Sequence, residues 1–586
     1  MDFDSKNTIL AFILIISVII FTQTDFYLKL VDPEGYNKRQ QQLNQPETIQ
    51  QTQSQESVEQ QVEEPVAAES ESQKTSQKPF VPSSKSKIVA QIEDLQSGKT
   101  EEFIYVETSL YEVVLTTRGG NILQWKLKNF MGPDSEYVNL FRPNSYGNFS
   151  LSFLTVNGDS LSTSDYIFES GSLGNITVYD SKTISFTLDM GNGRSISKNY
   201  TFHDKRYMID YKINFSGLYD LVANKRYFIS APNGMASTEQ RVKEDMQYAK
   251  AAVYSNENIE DGYKTNEKVY KESGQIEWAA VRTKYFAIYI VPEQETAESV
   301  TIQGFEDPVA NKDTNLKRYS ITMSMPYLGD GTTEPSFNLY LGPLEYDTLK
   351  KYDKGFEDFM DFGWSFIKPF SKFILWLFKK MHTVIPNYGV VLLFFAVVIK
   401  IVVYPLTHKS YESMQKMQQI QPKLKELQEK HKDDPQKLNK ATMNLYKQEG
   451  VNPAGGCLPM LIQMPLLIGL FVIFRTTIEL RGEGFIWWIN DLSAPDTIFT
   501  LPFSIPFYGQ HVNILPIFMM VTIFLQQKMS STDPKQKMLV YFMPIFLFLL
   551  FNHFPSGLNL YYALFNLLSI IQQKYLVPKH QKKRAA

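Results

Sequence analysis

Cysteine is almost missing from this chain: Cys457 is the only one in 586 residues. A lone thiol forms no intramolecular disulfide, so any exported part must hold together by packing alone. Enzyme signatures are missing as well. There is no phosphate-binding glycine loop, no paired-histidine helix motif and no Gly-x-Ser-x-Gly, and the seven histidines are scattered without ligand spacing. Those gaps leave no cradle for a nucleotide, no zinc set and no nucleophile elbow, so neither an enzyme activity nor a metal or cofactor is expected. Net charge is only −3, which gives no global basic field for DNA. The long apolar runs contain no carboxylate, which argues against a proton- or sodium-coupled pump. The first of them, Ile9 to Phe21, is followed by no small-x-small cleavage site and has no cysteine nearby. A lipoprotein signal is therefore excluded, and a retained signal anchor is favoured over a cleaved signal peptide.

What is present divides into unlike parts. The length suggests about four units. Residues 1–30 read as the transmembrane anchor. Residues 31–87 are rich in Gln, Glu and Ser, too poor in apolar surface to offset their ordering entropy, and read as a disordered tether. From 88 to 345 the period becomes two. Leu123, Trp125 and Leu127 alternate with polar residues, as do Ile184, Phe186 and Leu188, then Ile209, Tyr211, Ile213 and Phe215, then Phe337, Leu339 and Leu341, around Asn338 and Tyr340. Turn clusters such as Gly191-Asn192-Gly193 and Gly329-Asp330-Gly331 separate the runs. This predicts a large antiparallel β-sandwich, with Gln240 to Lys268 as a polar loop or helix. Residues 346–382 form a linker, with a polar helix expected from Asp347 to Phe362. An aromatic, cationic helix from Phe366 to Met381 is suited to the membrane interface.

The last third, 383–578, is a helical membrane core. Its first span runs from Tyr388 to Leu406 and carries one charge, Lys400. Four more follow at about 455–478, 512–526, 538–551 and 558–572, so that with the anchor the chain has six spans. The loop 407–452, the loop 528–537 and the tail 579–586 are basic, whereas 479–511 is not. The positive-inside rule then puts both termini in the cytoplasm and the β-domain outside.

Lys400 lies roughly 9 Å from the cytoplasmic end of its span. A lysine near the centre of a membrane helix costs about 2.5–3.5 kcal/mol on insertion scales. It therefore either snorkels to the headgroups or serves as a cation in a groove open to the cytoplasm, attracting acidic residues of another polypeptide. The loop 407–452 reads as a helical hairpin. Met414, Met417, Ile420, Leu424 and Leu427 form one stripe and Leu438, Ala441 and Leu445 another, with Asp434 as N-cap and Pro435 at the first helical position. The stripes either pack on each other or offer an adaptable Met-rich face to apolar clients. The basic outer face suits anionic lipid or ribosomal RNA. Gln463, Tyr561, Tyr562 and Asn566 are polar residues within spans, which bond across helices or line a wet groove.

The motifs combine into a resemblance. Asn387-Tyr-Gly, Lys400-x4-Pro405-Leu-Thr, Met414-x-x-Met417-x-x-Ile-Gln421-Pro422 and Asn452-Pro453-x-Gly-Gly-Cys457-Leu-Pro459 succeed one another. So do Gln463-x-Pro465, Trp488-Ile-x-Asp491-Leu-Ser-x-x-Asp496, and Pro555-Ser-Gly-Leu-x-Leu-Tyr561-Tyr562 with Asn566 and Gln572-Gln573. Covering nearly all of 361–574, they resemble the YidC/Oxa membrane-insertase family. Trp278-x5-Lys284-Tyr-Phe286 and Gly342-Pro343 match the outer domain of its longer form, found in Gram-negative inner membranes, which is similar in fold to sugar-binding supersandwiches.

The resemblance implies a five-helix insertase core plus N-terminal anchor, and a periplasmic β-domain. It implies insertion and folding of nascent membrane proteins through a cytoplasm-open hydrophilic groove, alone or with the Sec translocon, and weak ribosome contact through the basic hairpin and tail. By motif the groove cation is Lys400, where many relatives have Arg; Gln463 and Tyr562 match groove positions, and Tyr561 and Asn566 join them. The client slide lies on the third and fifth spans, at Leu461, Met464, Leu467 and Phe471 and at Phe542, Ile545 and Phe548. A common Thr one turn before the cation is Ala396 here, and a frequent Trp before Pro-Ser-Gly is His553.

Two other classes fit less well. A secondary transporter predicts repeated halves with matching broken helices, which are not found. A membrane-anchored carbohydrate enzyme needs paired carboxylates in a β-domain cleft.

Overall fold

Apolar and polar residues that alternate between Phe103 and Pro343 form two sheets in the computed structural model. Residues 87–308, 315–329, 334–432, 434–451, 458–506, 508–530 and 537–576 are described. The anchor, nearly all of the tether, the Asp330-Gly331 turn, the Asn452–Cys457 motif and the basic tail lie outside them. The chain divides into two units, Met1–Ser97 and Gly98–Ala586. Of the first, the described part is helix α1 (Lys87–Leu95) and its C-terminal turn. The period-two region therefore starts at Phe103, not at 88: Ile88 and Ile92 fall on one face at helical spacing.

The smaller sheet has five strands: Tyr137–Asn139, Asn121–Met131, Tyr111–Thr116, Phe103–Glu107 and, in parallel, Gly174–Thr177. The larger has fourteen. Its longest strand, Val269–Arg282, pairs with Ala297–Pro308 through its first half. Through its second half it pairs with Lys250–Ser255 on one side and Phe286–Pro292 on the other. Tyr111 stacks on Trp125 with centroids 4.2 Å apart, and Trp125 meets Phe202 of the larger sheet at 6.4 Å. The expected sandwich packs across that aromatic seam.

Three local readings change. Leu115 pairs with Ile122 and Val114 with Gln124, so Leu123 is the extra residue of a β-bulge. Ile122, rather than Leu123, therefore points inward with Trp125 and Leu127. Tyr340 is fully buried, because its strand is covered on both faces; Phe356 of the turn Phe356–Phe359 lies over it and over Tyr289. The expected 347–362 helix is instead the short α3 (Tyr346–Lys350), which follows α2 (Val242–Tyr248) in the chain, and then that turn. Left-handed backbone at Asp353 (φ 52°) and Gly355 (φ 70°) separates α3 from that turn. The polar stretch 240–268 holds α2 and two paired strands.

The helical part begins with α4 (Lys368–His382), which buries Ser371, Ile374, Leu375 and Phe378 and exposes Phe370, Phe373 and Trp376. Next come α5 (Tyr388–Lys430), α6 (Pro435–Gln448), α7 (Leu458–Thr476), α8 (Ile514–Ser530), α9 (Lys537–Phe551) and α10 (Ser556–Ile571). Among the described residues α5 alone is long and apolar enough to cross a membrane, and parts of α7, α8 and α9 are shorter apolar helices. The expected break at Thr407 does not occur: α5 runs unbroken for 43 residues through Pro405 and Pro422. Each proline removes a single ladder bond, and the bonds on either side persist.

Family-motif residues build the β-domain end of this core. Asn387 Oδ1 caps α5 by accepting from the Val390 amide at 2.9 Å. A side chain at Gly389 would strike Phe485, and one at Gly557 would strike Phe474, so a larger residue at either position would force that ring to move. Asp496 accepts from Trp488 Nε1 and from the Ile514 and Leu515 amides at 2.8–3.1 Å, capping α8.

Candidate functional site

Lys400 shares the inward face of α5 with Leu392, Ala396, Thr407 and Tyr411. It is 8% exposed. Its Nζ donates to Ser569 Oγ on α10 at 2.6 Å and lies 4.5 Å from the centre of the Phe565 ring. Ser569 passes the chain on by donating to the Phe565 carbonyl at 2.8 Å. Among the described residues no carboxylate is within ion-pair distance of Lys400. Farther along, Gln572 Nε2 donates to Thr407 Oγ1 at 3.0 Å, Tyr411 meets Ser569 and Gln526, and Gln418 Nε2 donates to the Met529 carbonyl at 3.0 Å. A polar seam thus runs between α5, α8 and α10 from Lys400 into the arm of α5 beyond the span.

The expected site residues divide around this seam. Tyr561 is fully buried one turn from Phe565, with its ring 6.0 Å from Phe395 and 5.7 Å from Phe565. Its hydroxyl, and Nδ2 of buried Asn566, make no hydrogen bond among the described residues. Tyr562 turns to α9, with its ring 5.4 Å from Phe551. Gln463 stands half-buried on α7, and among the described residues no polar contact ties it to Lys400. Ser569 was missed by the sequence reading, and Thr407 and Gln572 were not assigned to the site. Their signal is spacing: Phe565, Ser569 and Gln572 recur at four and three residues on one helical face.

Of the expected slide, the Leu461 side chain lies outside the described residues. Met464, Leu467 and Phe471 are half-buried on α7. On α9, Phe542 and Ile545 are exposed and Phe548 is half-buried. The two helices have different main supports: α7 packs chiefly on α4, α5 and α10, and α9 chiefly on α8. In the expected hairpin, Asp434 Oδ1 accepts from the Lys437 amide at 3.0 Å, as an N-cap with Pro435 following. Ile420 and Leu424 are buried where α5 meets α6, while Met414, Met417 and Leu427 are half-buried.

A second set of buried charges joins the β-domain to the helices. Glu244 pairs with Lys284 at 2.7 Å and with Arg475 of α7 at 3.7 Å. Burial pushes the Glu244 carboxyl up, but Lys284 and Arg475 outweigh it and hold the group below its ordinary value. Arg481 donates to Glu239 at 2.8 Å and to the Met131 carbonyl at 2.9 Å. Burial raises Glu239, and Arg481 only partly offsets this. Lys379 of α4 bridges Glu345, Asp347 and Glu479 at 2.6–3.4 Å.

Comparison with known proteins accounts for both regions. Residues 103–377 match the family described as the YidC periplasmic domain, and residues 380–583 the 60Kd inner membrane protein family. The chain is 37% identical over 493 residues to the membrane protein insertase YidC of Chlorobaculum parvum, covering 82% of this chain and 83% of that one. It is 38% identical over 489 residues to that of Chloroherpeton thalassium, covering 81% and 83%. A crystal structure of an active YidC insertase with its first transmembrane domain resolved aligns over 81% of this chain and 93% of its own, at 19% identity and a TM-score of 0.36. With outer domain and membrane core both matched in order along one chain, this protein belongs to the YidC membrane protein insertase family.

Proposed function

We propose that this chain inserts nascent membrane proteins into the inner membrane through a groove open to the cytoplasm, with Lys400 as the groove's cation. The observation that carries the reading is a buried ammonium whose only polar contact among the described residues is a hydroxyl. A lysine kept in a low-dielectric site without a carboxylate attracts the acidic residues of an incoming segment more strongly than it would in water. The polar atoms of Tyr561 and Asn566 that find no partner among the described residues support a wet or client-filled groove, since buried donors seldom go unmatched. Such a groove shortens the apolar barrier that a polar segment must cross. The exposed apolar side chains of α9 then let the client partition into lipid, with a gain of about 0.8 kcal/mol per buried methylene. In this reading the core has five spans plus the N-terminal anchor, as the hydropathy of the sequence suggests. Both termini are cytoplasmic and the β-domain is periplasmic. The basic arm of α5 and the tail meet the ribosome, and the Sec translocon shares some clients.

The test is insertion of a small client with an acidic translocated segment into vesicles containing only this protein. Wild type and Lys400→Arg are expected to insert it, and Lys400→Ala to lose most insertion. Equal insertion by all three would remove Lys400 from the mechanism. No insertion by wild type would overturn autonomous insertion and leave an accessory role beside another translocon.

A further inference from the structure

Between α7 and α8 the chain forms a β-hairpin, Thr497–Ile505 paired with Gly509–Asn513. From Thr497 to Asn513 there is no Asp, Glu, Lys or Arg. Ile498, Phe499, Phe503 and Ile505 are all exposed, and neither face of the longer strand is covered. A two-stranded ribbon without a covered face is marginal in water, yet this one is held from its turn along its second strand to its base. Asn552, just after α9, donates to the Tyr508 and His511 carbonyls at 3.0 Å, and Asn513 donates to Asn552 Oδ1 at 3.0 Å. Tyr508 lies 5.4 Å from Phe548 of α9, and His553 sits over Gly509. The hairpin is therefore fixed at the β-domain end of α8 and α9, where the apolar outer faces of those helices finish. Its exposed side chains continue the belt formed by Ile517, Phe518 and Val521 of α8 and Ile545 of α9.

We propose that this hairpin lies in the headgroup layer of the leaflet on the β-domain side, as a lipid-facing wedge that sets the depth of α8 and α9. Lipid is the occupant that continuity selects, because the hairpin extends a surface already facing the bilayer in a membrane insertase. The absence of charge keeps the cost of entry low. The open strand edges stop the hairpin short of the hydrocarbon, where their amide and carbonyl groups would find no partners. The inference rests on the proposed function only in placing these helices in a membrane.

The experiment is a depth measurement on the full chain in lipid nanodiscs. Cys457→Ser gives a cysteine-free background, into which Phe499→Cys and Phe503→Cys are introduced separately and labelled with an environment-sensitive fluorophore. Tyr179→Cys, 87% exposed in the β-domain, is the water reference, and Ile545→Cys is the lipid reference. Only variants eluting as the wild type does are read, and two hairpin positions guard against one failing to fold. The expected result is blue-shifted emission at both positions, loss of iodide quenching relative to Tyr179→Cys, and stronger quenching by a headgroup-level nitroxide than by one at the chain end. Iodide quenching equal to that of Tyr179→Cys would overturn the proposal. So would shielding from iodide and lipid nitroxide alike, which would assign the surface to a protein partner. No client is present, so failure of insertion and failure of the wedge are read separately.

Discussion

Lys284 in the β-domain and Lys400 in the helical core are 5% and 8% exposed, and their surroundings treat them in opposite ways. Burial pulls the Lys284 ammonium down, but the charges around it, Glu244 among them, more than reverse that and keep it protonated. That lysine is committed: it closes a network reaching Arg475 and so fastens the β-domain to α7. Lys400 faces a serine hydroxyl and an aromatic ring, with no counter-charge among the described residues. A buried cation that is fully paired holds a structure together, while one left unpaired keeps its attraction for something that arrives later.

The comparison can be broken most directly at Glu244. Glu244→Ala removes the carboxylate shared by Lys284 and Arg475 and leaves Lys284 only Glu239 and Asp245 nearby, and should destabilise the β-domain junction by about 3–5 kcal/mol. Thermal unfolding of the purified full chain reads this, and an unchanged midpoint would show that the junction charges are solvated. Next in size is the coupling. Lys284→Met should cost less in a Glu244→Leu background than alone, by about 0.5–3 kcal/mol in a double-mutant cycle. Additive losses would mean that the two groups do not act as a pair. Lys400→Met sharpens the contrast because its two readouts should part. With no carboxylate left behind, unfolding free energy should shift by about 1 kcal/mol or less, toward greater stability, while insertion of an acidic client falls. Parallel loss of stability and insertion would make Lys400 a structural residue.

The smallest effect is in pH. Glu244 is held below its ordinary value of 4.5, so its contribution is complete above that pH and is lost as pH falls through its folded value. The difference in unfolding midpoint between wild type and Glu244→Gln should therefore shrink on acidification below about pH 4.5. Glu239, raised by burial, has the opposite sign and is common to both proteins, so it cancels. A constant difference down to pH 3 would show that charge is not what Glu244 supplies.

Strand alternation around Trp125, Ile184 and Ile209, the apolar helices and the Asp434-Pro435 cap were legible in the sequence because each is a local pattern with one physical cause. The bulge at Leu123 was not, since it depends on the register of the neighbouring strand. Tyr340 reads as polar until a distant turn carrying Phe356 covers it. The continuity of α5 was hidden because Pro405 and the change from apolar to basic composition coincide, and composition marks a solvent boundary rather than a helix end. Lys400 was conspicuous as a lone charge. Its partner Ser569 is 169 residues away, and the spacing of Ser569 from Phe565 and Gln572 marks a shared helical face without saying which helix that face meets. The hairpin at 497–513 lacks the tight two-residue turn that marks a hairpin in sequence.

The unbroken course of α5 has a mechanical meaning. From Tyr388 to Lys430 it measures about 65 Å, of which about 45 Å lies beyond Lys400. Lys400 and the α5 end that meets α6 are thus two points on one rod. Between them Thr407, Tyr411 and Gln418 tie the rod to α8 and α10, so a sideways load at the α6 end is taken up by those bonds before it reaches Lys400.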